Sequence, residues 1–364
     1  METPMERVMP TSTLIDLAES GRVPDPVLRF GIRQLLRQRL ASLAPGDCEA
    51  LAEQKRQFLR AMDLSAVAVQ PEAANRQHYE VPADFYRWVL GPRQKYSGSY
   101  WPAGVETLEA AEEAALAITC ERAGVADGQH ILDMGCGWGS LSLWLAERYP
   151  GARVTAVSNS RSQRLHIEAE AARLGLANIQ VLTADMNTFT SPVRYDRILS
   201  VEMFEHMRNW RQLFRRVSRW LEPDGRFFMH IFCHRSAPYF FETGDSADWM
   251  ARYFFTGGLM PSADLPLHFQ EHLKLENHWA WNGNHYARSL EAWLQRMDSR
   301  RDAVMPIFDR VYGNEAATWF VRWRLFFLAC AELFRFDGGN TWYVGHYLFR
   351  QGHDTGDAGE DHHG

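Results

Sequence analysis

His130-Ile131-Leu132-Asp133-Met134-Gly135-Cys136-Gly137-Trp138-Gly139, running directly into Ser140-Leu141-Ser142-Leu143-Trp144-Leu145, is the stretch that decides the fold. A short apolar run ends in an acid, three glycines alternate with other residues, and an apolar helical pattern starts at once. That order predicts a strand, a tight turn and a helix. The pattern recurs downstream. RVTAVS (153–158) precedes the helical SRSQRLHIEAEAARLG (160–175), and NIQVLTA (178–184) follows. YDRILSVE (195–202) precedes the helical MRNWRQLFRRVSRWL (207–221), and GRFFMHIFC (225–233) completes the set. Strands and helices alternating at this spacing predict right-handed βαβ units: an α/β, Rossmann-like fold with a mostly parallel sheet and helices on both faces. Ligands of such sheets bind beyond the carboxyl ends of the strands.

The chemistry of the turn narrows the ligand. Glycines admit positive φ and let a ligand approach the backbone where a Cβ would clash. A dinucleotide site would place pyrophosphate on the helix N-terminus and an acid at the end of the second strand. Here the turn reads D-x-G-x-G-x-G, and the second strand ends in Val157-Ser158-Asn159 without a carboxylate. Asp133 would repel a pyrophosphate and suits a cation. S-adenosylmethionine, which carries a sulfonium and an ammonium and no phosphate, fits that reversed charge logic. The third strand ends in Ala184-Asp185-Met186-Asn187. Asp185 can accept from an adenine amino group while the next amide reaches a ring nitrogen, or it can cap a turn.

After the fourth strand comes Ser200-Val201-Glu202-Met203-Phe204-Glu205-His206-Met207. On a helical turn Glu202 would face Glu205 at i+3 and His206 at i+4. Two carboxylates and an imidazole beside a sulfonium can attract a cationic amine and remove its proton.

Composition sets the remaining bounds. The chain has 364 residues, 46% hydrophobic and 23% charged, with net charge −6, as expected of a globular protein without a nucleic-acid partner. No apolar run reaches the ~18–20 residues of a membrane span. The opening METPMERVMPTST lacks the apolar core of a signal peptide, so cytoplasmic placement is expected. The scattered Cys48, Cys120, Cys136, Cys233 and Cys330 support neither a disulfide framework nor a metal site. Three parts are expected: an N-terminal helical extension over 1–75, a catalytic domain over 76–351, and a disordered tail over 352–364. Within the domain, an aromatic insertion spans about 234–270 and substrate-side helices about 284–336. In VLRFGIRQLLRQRLASLA, Leu28, Ile32, Leu35, Leu36 and Leu40 recur at helical spacing among Arg29, Arg33, Arg37 and Arg39. Such a helix either packs on the next domain or rests on an anionic membrane.

On these motifs the sequence resembles the class I S-adenosylmethionine-dependent methyltransferases. The particular branch is that of cyclopropane fatty acid synthases and coclaurine-type N-methyltransferases. The resemblance runs from PDPVLRFGIRQLLRQRL through HYEVPADFYRWVLGPRQKYSGSYWP to TWYVGHYLFR, and VEMFEHM, HYARSLEAWLQRMD and WRLFFLACAELF are similar to the N-methyltransferase side. It implies a seven-stranded sheet with an antiparallel last strand, and S-adenosylmethionine as cofactor with S-adenosylhomocysteine as product. It implies a cofactor pocket from Tyr96, Ser97, Asp133, Gly135, Gly137 and Gly139, with Ser158, Asn159 and Gln163 at the ribose and Asp185 and Met186 at the adenine. Glu202, Glu205 and His206 match the catalytic motif. Tyr79, Glu80, His230, Tyr286, Trp323, Phe326 and Phe327 would line the substrate cavity. Cyclopropane synthases hold a bicarbonate base with Cys, Glu, His and Tyr. Here the matching residues are Glu205, His230 and Tyr286, while the cysteine position in YSGSY is Gly98.

The expected reaction is N-methylation of a small aromatic amine, under a lid drawn from Tyr239, Phe240, Phe241, Trp249, Tyr253, Phe254 and Phe255. The alternative is methylene transfer to an unsaturated acyl chain, with bicarbonate as base and the basic helix on a membrane surface. A homodimer is left open as an assembly.

Overall fold

The computed structural model describes residues 11–43, 46–69, 81–241 and 249–352. Three helices open the chain: α1 (Thr11–Glu19), α2 (Asp25–Leu43) and α3 (Cys48–Asp63). α4 (Ala83–Val89) and α5 (Leu108–Ala123) lead into the alternating region. That region holds β1 (His130–Met134), α6 (Ser140–Arg148), β2 (Arg153–Ser158), α7 (Arg161–Leu174), β3 (Ile179–Thr183), β4 (Tyr195–Val201), α8 (Trp210–Trp220) and β5 (Leu221–His234). Then come the short β6 (Tyr239–Phe240), α9 (Trp249–Tyr253) and β7 (Leu259–Met260), and the longer β8 (Leu273–Trp281). Three helices, α10 (Gly283–Ser299), α11 (Arg301–Tyr312) and α12 (Ala316–Arg335), precede the last strand β9 (Trp342–Gln351).

The main sheet has seven strands in the order β3-β2-β1-β4-β5-β9-β8. β3, β2, β1, β4 and β5 pair in parallel, and β9 runs antiparallel to both β5 and β8. The antiparallel last strand of the resemblance is thus present. Side chains alternate across β5. Phe227, Met229 and Ile231 join the layer beneath α3 and α8, while Phe228 joins the opposite layer beneath α5 and α6. α8 shows why the sheet is covered. Asn209 caps it by accepting from the Gln212 amide, and Leu213, Phe214 and Val217 turn inward while Arg215 and Arg219 stay exposed. Each buried apolar side chain of that kind contributes roughly 1.5–3 kcal/mol.

A third apolar layer lies beyond the carboxyl ends of the strands, where α4, α10, α11 and α12 pack through Phe85, Trp293, Phe308, Trp323 and Phe327. α2 rests on this layer. Its Leu28, Ile32, Leu36 and Leu40 pack against it, and Arg29 makes two hydrogen bonds to Glu291 (2.6 and 2.8 Å) and one to Glu332 (2.9 Å). Arg33 adds 2.8 Å to the other oxygen of Glu332, which is 3% exposed. Of the two expectations for this helix, packing on the domain is the one observed. No described helix is long and apolar enough to cross a membrane.

Candidate active site

Two cavities meet at the carboxyl ends of β1 and β4. The larger, about 570 Å³, is walled by aromatic and aliphatic side chains, and the smaller, about 80 Å³, opens beside β2 and β3. Gly135, Gly137, Gln163, Glu202 and His206 line both, so the catalytic motif sits at their junction. A volume of ~300–1,000 Å³ suits a cofactor or drug-sized ligand.

Most residues expected at the cofactor are here. Tyr96, Ser97 and Asp133 line the large cavity; Ser158, Asn159, Asp185 and Met186 line the small one. Asp133 is 1% exposed, and burial lifts its carboxyl to about 6 against the hydrogen bond from Ser142. Ser158 has a supporting part. Its hydroxyl donates to Gln163 Oε1 (2.6 Å), which turns Gln163 Nε2 away, where it is buried without a hydrogen-bond partner among the described residues. Trp138 Nε1 and Ser140 Oγ are likewise buried and, among the described residues, unpartnered on the wall of the large cavity. A ligand rich in hydroxyl, carboxylate and ring-nitrogen acceptors would satisfy such donors, and S-adenosylmethionine is one. Asp185 keeps both of its expected readings: it lines the small cavity and also accepts from the Asn187 amide (2.9 Å). Gly139 departs from expectation. It lines neither cavity, because at φ +86° it caps α6, and an added Cβ would stand 2.6 Å from Ile167 Cγ1. It serves helix packing.

The acidic pair does not share a helical face. Glu202 follows directly on β4 in the left-handed region (φ +50°), and a 3₁₀ turn, Phe204–His206, comes next. The two carboxylates therefore diverge. Glu202 Oε1 accepts from the Gly98 amide (3.0 Å) and lies 3.2 Å from His230 Nε2, while Oε2 accepts from the Tyr286 hydroxyl (2.6 Å). Burial opposes its charge. The His230 bond, the nearby Lys95 ammonium and the Tyr286 bond outweigh that and hold Glu202 below the usual carboxylate range. Lys95 is itself buried, which lowers its ammonium to about 8, and its Nζ donates to Ser97 Oγ and the Gly98 carbonyl (2.6 Å each).

Glu205 turns the other way. Its Oε1 accepts from the Phe232 amide (2.7 Å), its Oε2 has no hydrogen-bond partner among the described residues, and it lines neither cavity. Burial, reinforced by the Glu202 charge, raises its carboxyl well above the usual range and so favours the protonated acid behind the site. His206 faces the junction with its ring stacked on Phe255 (4.6 Å between centroids), and desolvation lowers it to about 4. It is a neutral imidazole at pH 7.

Of the four positions matched to the bicarbonate ligands, Gly98, His230 and Tyr286 thus close on the Glu202 carboxylate, while Glu205 turns away to the Phe232 amide. A side chain at Gly98 would press on a neighbour: its Cβ would stand 3.0 Å from the Tyr286 ring, which would have to give by a few tenths of an ångström. Tyr286 and Phe326 line the large cavity as expected. His230, Trp323 and Phe327 do not. His230 lies behind Glu202, and the two rings are core residues packed against Phe326. Of the expected lid, Tyr239, Phe241, Trp249 and Phe255 face the cavity. Phe254 stacks beneath them on Phe326, Tyr253 on Arg322, and Phe240 on Phe58. Tyr79 and Glu80 lie outside the described residues, as do 242–248 of the insertion and 353–364 of the tail.

Sequence reasoning did not anticipate Lys95, or the wall that α2 supplies through Ile32, Leu36 and Arg39. The apolar stripe of α2 was visible as a pattern, but nothing in it named the surface it covers.

Residues 68–343 match the family described as mycolic acid cyclopropane synthetase. (S)-coclaurine N-methyltransferase of Thalictrum flavum subsp. glaucum is 38% identical over 343 residues, covering 93% of this chain and 95% of that protein. Cyclopropane-fatty-acyl-phospholipid synthase of Escherichia coli K12 is 28% identical, covering 77% and 68%. The crystal structure of a coclaurine N-methyltransferase bound to N-methylheliamine and S-adenosylhomocysteine superposes with a TM-score of 0.90 at 37% identity, covering 93% of this chain and 99% of that one. With its seven-stranded sheet and a glycine turn opening on paired cavities, the chain belongs to the mycolic acid cyclopropane synthetase family of class I S-adenosylmethionine-dependent methyltransferases.

Proposed function

We propose that the chain is an N-methyltransferase acting on a small aromatic amine, with Glu202 and His206 at the reacting nitrogen. The observation that carries this reading is the ionised Glu202 carboxylate, held at the junction of the two cavities by the Gly98 amide, His230 and Tyr286. When bound, S-adenosylmethionine supplies an electrophilic methyl group on sulfonium. Gln163, Trp138, Ser140 and Asp133 would hold it in the large cavity, with Asp185 and Met186 at the smaller one.

An alkylamine in water is mostly protonated at pH 7, as lysine with its pKa near ~10.4 shows. Glu202 draws the ammonium form into an apolar cavity that would otherwise reject it. His206, kept neutral by desolvation and at about 4 too weak a base to hold the ammonium proton, accepts a hydrogen bond from the N–H of the neutral amine in exchange with its ammonium form and turns the lone pair toward the donor. As positive charge develops on nitrogen, the fixed carboxylate stabilises it without having to reorganise. Positioning does most of the remaining work, up to ~7–11 kcal/mol in ideal cases. Phe255, Tyr239, Phe241 and Trp249 offer faces to an aromatic ring and to a passing cation, and they exclude water.

The assigned relatives support an amine substrate: proteins similar over nearly the whole chain are named for N-methylation, and the cyclopropane synthase is more distant. The geometry also disfavours the lipid reading, because an internal carboxylate stands where a bicarbonate would be gathered. The test is turnover with coclaurine, heliamine and vesicles of unsaturated phospholipid, read by mass spectrometry. We expect a +14 product from an amine and none from lipid. Addition of 14 mass units at an acyl double bond, with no amine product, would overturn the proposal.

A further inference from the structure

Behind Glu202 runs a chain of contacts that leaves the cavity altogether. His230 Nδ1 lies 3.0 Å from His346 Nε2, and His346 Nδ1 lies 3.0 Å from Arg122 Nη1. His230 and His346 are direct cross-strand partners in the β5–β9 pair, and they are 1% and 0% exposed. Arg122, on α5, lies over the ring faces of Trp279 and Trp281, and Trp281 also packs on both histidines.

The ends of this chain fix its middle. A guanidinium only donates and a carboxylate only accepts. His346 Nδ1 must therefore accept from Arg122, so its hydrogen is on Nε2. His230 Nδ1 must accept from that Nε2–H, so its own hydrogen is on Nε2 and points at Glu202. An imidazolium at either position would set donor against donor. We propose that Arg122 and His346 are positioning residues, locking both histidines as neutral Nε2–H tautomers so that His230 donates to Glu202 and keeps it ionised for the amine.

The inference rests on the amine reading only for its purpose; the lock itself is a property of the protein without substrate. The titratable groups that face Glu202 are Lys95, Glu205, His206, His230, Tyr286 and Cys330. Those facing His346 are His230, Arg122, Lys95 and His278. Removing Arg122 leaves all of these in place except the donor-only end. His346 is then free to carry its hydrogen on Nδ1, His230 turns a lone pair toward Glu202, and the carboxylate binds its proton at a higher pH than in the wild type.

Long-range 1H–15N spectra of the full chain report which nitrogen of each imidazole is protonated. At pH 7 we expect Nε2–H for both His230 and His346, and a move toward Nδ1–H in Arg122→Met. With a turned-over amine and saturating cofactor, the acid limb of kcat/KM in Arg122→Met should move up by about one pH unit, about tenfold in rate at a pH on the limb. Arg122→Lys should recover most of it, and calorimetric affinity for S-adenosylhomocysteine should stay unchanged. His346→Gln, whose amide can accept at one end and donate at the other, should keep the wild-type profile, whereas His346→Phe should reproduce the shift even if Arg122→Met fails to fold. Wild-type spectra with either histidine as Nδ1–H or imidazolium would overturn the lock, as would unchanged tautomers and acid limb in Arg122→Met. Because the spectra need no turnover, loss of the amine reading on the substrate panel remains a separate result.

Discussion

Glu202 is a non-glycine residue at φ +50°, a conformation costing of order 1–2 kcal/mol for an L side chain. Three hydrogen bonds to its carboxylate hold it there. Glu202→Gly relieves the backbone and opens a small polar space between the Gly98 amide, His230 and Tyr286. We expect kcat/KM for the amine to fall by ~100–1,000-fold, as when one preorganised charge-stabilising group is lost. Millimolar formate or acetate should restore part of it by filling that space, while Glu202→Gln, equally uncharged but filled, should show no rescue. A rate curve against formate concentration checks both. The residue was legible in the sequence as the head of Glu-x-x-Glu-His, but its direction was not. Helical spacing put Glu202 and Glu205 on one face. The left-handed turn sends one into the cavity and the other against the Phe232 amide, a choice made by β5 and by the loop carrying Gly98, both distant in sequence.

Elements show the same split between what spacing encodes and what packing decides. The loop from Gly91 to Gly98, which brings Tyr96, Ser97 and Lys95 to the cavity, is strapped to α5 by Glu113, which accepts from the Arg93 guanidinium, and above all by Glu112. Glu112 accepts from the amides of Gly91, Arg93 and Lys95 (3.0, 2.9 and 3.4 Å). Burial lifts its carboxyl from 4.5 to about 7 against those bonds. A carboxyl raised on folding binds its proton more tightly in the folded chain. Its contribution to stability is therefore full below pH 4.5 and is lost as pH rises through about 7. The loss amounts to a few kcal/mol at most, since each pH unit between the two values is worth about 1.4 kcal/mol. Denaturant unfolding of the wild type and Glu112→Gln at pH 4.5, 6 and 7.5 should show the variant with the flatter pH dependence. A parallel decline in both would assign the pH dependence to other groups. The strands and helices around the glycine turn follow from apolar periodicity and turn chemistry, which are local. β8 and β9 followed only from resemblance, and the Glu112 strap from nothing in the sequence, because one of four glutamates in an alanine-rich helix carries no mark of the three amides it will meet.

At the scale of the whole molecule, the two cavities draw on different parts of the chain. The sheet edge supplies the cofactor walls, and α10, α12 and the segment around Trp249 supply the aromatic wall. α2 closes the large cavity from the far end of the sequence, through Ile32, Leu36 and Arg39. Its anchor is ionic: Glu332, nearly buried, is held by Arg29 and Arg33. Removing Arg29 leaves Glu332 to Arg33 and Glu291 to Arg335, so each carboxylate keeps one partner and the loss falls on the tie between α2 and the helices beneath it. In Arg29→Met we expect α2 to loosen, KM for the amine to rise ~3–10-fold and S-adenosylhomocysteine affinity to change less than twofold, read by steady-state kinetics beside calorimetry. Equal losses of both would mean that α2 supports the entire fold. The contact between Gly98 and the Tyr286 ring bears on how such chemistries diverge. A thiol-bearing residue at position 98 presses on the tyrosine ring, which gives only by shifting a few tenths of an ångström, and the tyrosine is tied to the carboxylate at 202. Positions 98 and 202, one on a loop and the other just past a strand, are therefore coupled through the one tyrosine that both touch, so what either position tolerates depends on the residue standing at the other.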